Sequence, residues 1–66
     1  MFVIVKRMEE ITEVIYGSND LEKVKRKMDE INDELGDRVE EYDRVNGEIW
    51  IDSMSSFKIR KVKEVE

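Results

Sequence analysis

Sixty-six residues make one domain and leave no room for two, and the chain has neither Cys nor His. Disulfides and the usual Cys/His zinc sites are therefore excluded as staples. Charged residues are 44% and hydrophobic residues 39%, with a net charge of −5. That mix describes a folded domain with a heavily solvated surface, and its sign sets DNA and anionic membranes aside as default partners.

A domain of this size buries only about 60% of the surface its unfolded chain exposes, so it is marginal alone. With disulfides and zinc gone, self-association is the staple that remains. No stretch approaches the ~20 apolar residues of a membrane span. The longest apolar run, Phe2-Val3-Ile4-Val5, suits a strand core and is too short for a signal peptide's apolar region. The lack of Cys fits a reducing cytoplasm, the expected location.

In chain order, Phe2 to Met8 reads as a strand, rich in β-branched and aromatic residues. Ile11 to Tyr16 reads as a second strand, with Met8-Glu9-Glu10 as the turn. Leu21, Val24, Met28, Ile31 and Leu35 are spaced 3, 4, 3, 4 and draw one apolar stripe along a helix. Asn19, with Glu22 three residues on, predicts a capping box, and Gly36 a left-handed stop. Arg38 to Val45 and Glu48 to Asp52 flank Asn46-Gly47, a two-residue hairpin turn by its chemistry. Ser53 to Ser56 reads as a loop and Phe57 to Val65 as the last strand. A slip in that strand's alternation predicts a bulge near Arg60-Lys61.

The order ββαβββ predicts a two-layer α+β domain, one helix on a mostly antiparallel sheet. Several strands are apolar on both faces. Phe2 and Ile4 oppose Val3 and Val5; Tyr42, Ile49 and Ile51 oppose Val39, Val45, Trp50 and Met54. One helix covers one face, so the expectation is a homodimer that supplies the missing layer.

The charge is uneven. Asp29, Glu30, Asp33, Glu34, Asp37, Glu40, Glu41 and Asp43 stand against the single base Arg38, a segment charge of −7. The other nine acids and eleven bases give +2. A helix C-terminus is partially negative and prefers cations, so this placement opposes helix stability. Asp29–Asp33 and Glu30–Glu34 are like-charge pairs one turn apart. The plain reading is a solvated face. The sharper one is a contact surface for a basic partner, with carboxylates standing in for nucleic-acid phosphates. A metal site does not fit: Asp37 lies past Gly36, and counting back from Gly36 puts Ile31 where a calcium loop needs its first acid.

Trp50, the sole Trp, suits a dimer or partner contact as readily as a core. Lys58, Arg60, Lys61 and Lys63 make the last strand basic, either an edge protected by Lys or a strand for single-stranded nucleic acid. No RNP-type aromatic motif accompanies them, so direct nucleic-acid binding is not the expectation. Without His or Cys, the usual base and the best nucleophile are missing. The glycines are isolated breakers, not a phosphate loop. The expectation is a protein that is no enzyme and carries no cofactor or metal.

In length, charge, lack of Cys and the run from Asp29-Glu30 to Asp43, the chain resembles the short acidic early proteins of bacteriophages, some of which disable host DNA-binding proteins. The resemblance implies an inhibitor that presents carboxylates to a basic host protein. The reading is thus a protein-binding inhibitor using Asp29, Glu30, Asp33, Glu34, Asp37, Glu40, Glu41 and Asp43, with Trp50 as apolar anchor. The alternatives are a dimeric adaptor whose acids only solubilise, and a single-stranded nucleic-acid binder using the basic strand.

Overall fold

The structure, a computed structural model, describes residues 1–52 and 54–63. Its elements are β1 (Phe2–Met8), β2 (Ile11–Ser18), α1 (Leu21–Leu35), a 3₁₀ turn (Gly36–Arg38), β3 (Glu41–Asp43), β4 (Glu48–Asp52) and β5 (Ser55–Lys61). All five strands form one antiparallel sheet in the order β2-β1-β5-β4-β3. This is the expected two-layer α+β fold. No helix among the described residues is long and apolar enough to cross a membrane.

β1 and β2 turn through Glu9-Glu10, with Glu9 at a φ of 55°. The Glu9 N–H donates to the Met54 carbonyl at 2.9 Å, which ties this turn to the β4–β5 connection. The apolar stripe of α1 buries Val24, Met28 and Ile31 against Ile4, Ile49 and Phe57. Phe2, Tyr16, Leu35, Tyr42, Ile51 and Ile59 pack around that core. Gly36 stops the helix at a φ of 54° and donates its N–H to the Asn32 carbonyl.

Several expectations are corrected. The helix cap is Asp20, not Asn19: the Asp20 carboxylate accepts the Glu22 N–H at 3.0 Å, and the Ser18 hydroxyl accepts the Asp20 N–H at 3.1 Å. The strand expected over Arg38 to Val45 shrinks to Glu41–Asp43: the 3₁₀ turn takes Arg38, Val39 and Glu40 lead out of it, and Arg44 and Val45 belong to the next turn. The β3–β4 turn is four residues long, 44–47, with only Gly47 at positive φ. The Asp43 carboxylate organises it by accepting the Asn46 N–H at 3.1 Å and its Nδ2 at 2.7 Å. β5 starts two residues early, at Ser55, while Ser53 and Val65 lie outside the described residues.

β1–β5 pairing runs regularly from Phe2–Lys61 to Met8–Ser55, so no bulge falls at Arg60-Lys61. The irregularities lie at Ile15, extra in β2, and at Ile51, extra in β4. The two faces differ too. Val39 packs onto the helix-side core, while Val45 and Met54 lie exposed in turns. Of the four residues assigned to the far face, only Trp50 is placed there by the strand register.

Candidate functional site

The acidic run leaves the helix, turns through Gly36–Arg38 and enters β3, and this path distributes its side chains. Asp29 lies on the flank of α1 facing β3. It accepts a short hydrogen bond from the Tyr42 hydroxyl and ion-pairs with the Arg44 guanidinium at 3.2 Å. Arg44 also reaches Glu22 at 3.9 Å, so one side chain clamps the β3–β4 turn to two helix acids. Asp33 is exposed and acts electrostatically on the same Tyr42 hydroxyl. Glu30 and Glu34 lie on the other flank. Glu30 pairs with Lys27 at 3.4 Å, and Glu34 borders a hollow shared with Lys6 and Ile15. Asp37 and Glu40 are exposed beyond the helix end. Glu41 and Asp43 point to the face of the sheet away from α1, in register with Trp50 and Glu48.

The eight carboxylates are thus spread over both flanks of α1, its C-terminal end and the far face of the sheet, and do not form one surface. Asp29, Glu30 and Asp43 are engaged with neighbouring side chains. Asp33, Glu34, Asp37, Glu40 and Glu41 are exposed and make no ion pair among the described residues. The last turn of α1 contains no base. Among the described residues no cluster of acids is arranged to hold a metal ion.

The open face of the sheet is the second surface. Pairing places Thr12, Arg7, Ser56, Trp50 and Glu41 in one row, and Val14, Val5, Lys58, Glu48 and Asp43 in the next. Lys58 stacks over the Trp50 ring at 4.5 Å from its centroid and approaches Glu48 at 3.9 Å. A shallow hollow lies beside it, lined by Val5, Arg7, Thr12, Val14, Ser56, Lys58 and Arg60 among others.

Two residues matter here that the sequence did not single out. Arg44, the clamp, is the first base after the acidic run. Arg7 shares the parity of Val3 and Val5 in β1, and that spacing was its only signal.

The hydrogen bond from Tyr42, and then Arg44, hold the Asp29 carboxyl below its ordinary value of 3.8, although burial opposes them. Burial, then the Asp29 carboxylate, pushes the Tyr42 hydroxyl above the usual phenol range. Hydrogen bonds from Asn46 likewise lower Asp43. A carboxylate depressed in the folded state contributes stability above its unfolded pKa and loses it as pH falls through the folded value. Asp29→Asn is therefore expected to destabilise the domain near neutrality by no more than about 1 kcal/mol, since the pair is partly solvated. The gap to wild type should close as both are acidified below about pH 4. Urea midpoints across that range check this, and a gap independent of pH would refute it.

No family model matches this chain, and comparison with curated proteins and with solved structures produced no match either.

Proposed function

We propose that the protein is a non-enzymatic binding module that presents carboxylates to a basic, nucleic-acid-binding protein and inhibits it, in the manner of a phosphate backbone. One observation carries this reading. Asp33, Glu34, Asp37 and Glu40 are exposed around the C-terminal end of α1 with no ion pair among the described residues. That end already carries partial negative charge from its carbonyls, so the fold gains nothing from acids there. A cationic partner would relieve the repulsion on contact and be steered towards it.

Trp50 faces the other side of the sheet, so the proposed contact narrows to these four carboxylates, with Glu41 at its border. A chain without His or Cys is suited to binding rather than to acid–base or nucleophilic chemistry.

The test is affinity capture from lysate by wild type and by the D33N/E34Q/D37N/E40Q variant. Wild type is expected to retain basic, nucleic-acid-binding proteins. Salt of about 0.5 M should release them, since the Debye length is then only roughly 4 Å. Added duplex DNA should displace them, and the variant should lose them. Equal capture by both proteins would overturn the proposal, and retention that ignores salt would support the adaptor reading instead.

A further inference from the structure

We propose that the open face of the sheet is a homodimer interface, with two copies stacked face to face about a two-fold axis parallel to the strands and lying between β4 and β5. The proposal rests on neither the acidic end of α1 nor its partner.

The helix covers the other face, so this one has no second layer among the described residues. Its apolar residues are Val3, Val5, Val14 and Trp50; Val3 is already buried, and Val14, on β2, lies outside the strands that the two copies overlap. What selects a second copy as the occupant is the charge pattern. β1 and β5 place Arg7, Lys58 and Arg60 on this face, and β3 and β4 place Glu41, Asp43 and Glu48 on it. Three cations occupy one half, with Glu9 and Glu10 of the β1–β2 turn at its margin, and three carboxylates occupy the other. A surface divided in this way is complementary to itself after a half-turn.

The strand order determines which half-turn works. Rotation about the proposed axis lays β5 over β4 of the second copy and β1 over β3. Arg7 then meets Glu41, and Lys58 meets Glu48. The Trp50 ring meets Ser56, which is small and only 5% exposed. Val5 meets Asp43, whose carboxylate is already turned onto Asn46. An axis perpendicular to the strands would instead lay each half over its own sign.

The contact is small. Four overlapping strands spaced ~4.8 Å apart and ~15 Å long present roughly 300 Å² per copy, well under the ~800 Å² per partner of a standard interface. The dimer therefore exchanges and loosens with salt.

Sedimentation at high micromolar concentration tests this. Wild type is expected at twice its 7.9 kDa monomer mass. R7E and E41R each place like charges in contact and should weaken association by at least about tenfold. Both residues are exposed, and far-UV circular dichroism should confirm native folding. An equimolar mixture of the two variants restores both cross-pairs and should dimerise within about threefold of wild type.

A monomeric wild type would overturn the proposal. So would two variants that dimerise like wild type, as expected if the apolar β2 edge were the contact instead. Failure of the mixture to recover would do the same. A single-stranded oligonucleotide that quenches Trp50 in a monomeric wild type but not in R7E would assign the face to nucleic acid.

Discussion

Gly47→Ala is expected to cost about 2–4 kcal/mol, enough to leave much of a domain this small unfolded. Two effects coincide. Gly47 sits at a φ of 70°, where a side chain is strained by roughly 1–2 kcal/mol. An added Cβ would also lie 2.7 Å from Ile59 Cδ1 and 2.9 Å from its Cβ and Cγ1. Ile59 has little room to retreat. Its Cβ branching stiffens the side chain, and its backbone N–H donates to the Gly47 carbonyl at 2.8 Å. Urea denaturation measures the loss. Gly47→Ala with Ile59→Ala should show a coupling of about 1 kcal/mol, because the second change removes the Cδ1 and Cγ1 contacts and leaves only the one to Cβ. Gly36→Ala provides the contrast. Its φ is 54° but nothing lies within 4 Å of its Cβ position, so only backbone strain is added. Equal losses at the two glycines would contradict the close approach to Ile59.

Ile49→Ala should cost about 2–5 kcal/mol. Ile49 is fully buried in β4, paired with Tyr42 on one side and Phe57 on the other. It belongs to the cluster that faces Val24, Met28 and Ile31 of the helix. Truncation removes apolar contacts and leaves a cavity that flanking strands cannot collapse into without losing register. Thermal unfolding should therefore start far below that of wild type. Val45→Ala, in the neighbouring turn, should stay within about 0.5 kcal/mol because Val45 is 84% exposed. If association contributes, the Ile49→Ala midpoint should rise with protein concentration. A loss under about 1 kcal/mol would mean that α1 does not seal β4.

Elements with a strong period were legible from residue order. β1 has the bounds its β-branched run implies, and the 3–4 spacing from Leu21 to Leu35 marks the helix. Gly36 stops it as expected because the stop depends on one residue's backbone freedom. Readings failed where a side chain's hydrogen bond decided between neighbouring options. Asn19 and Asp20 are both good caps, and the spacing to Glu22 favoured the wrong one. Asn46-Gly47 suggested a two-residue turn, but Asp43 captures Asn46 and lengthens it. The residues from Arg38 onward alternate too weakly to mark where β3 begins.

The candidate site was legible only as composition. Adjacent acids in the run part onto different flanks, as Asp29 and Glu30 do. The division of charge on the open face was hidden for another reason. It appears only once β5 is inserted between β1 and β4, and no local pattern specifies that neighbour.

That insertion has a kinetic corollary. β5 joins two hairpins, β1–β2 and β3–β4, that have no strand contact with each other without it. Ribosomal synthesis delivers the five strands in numerical order, so the nascent chain carries both hairpins before the piece that unites them exists. Native sheet closure must therefore follow translation of this stretch, and the rate-limiting event is expected to be a long-range zippering of β1 with β5.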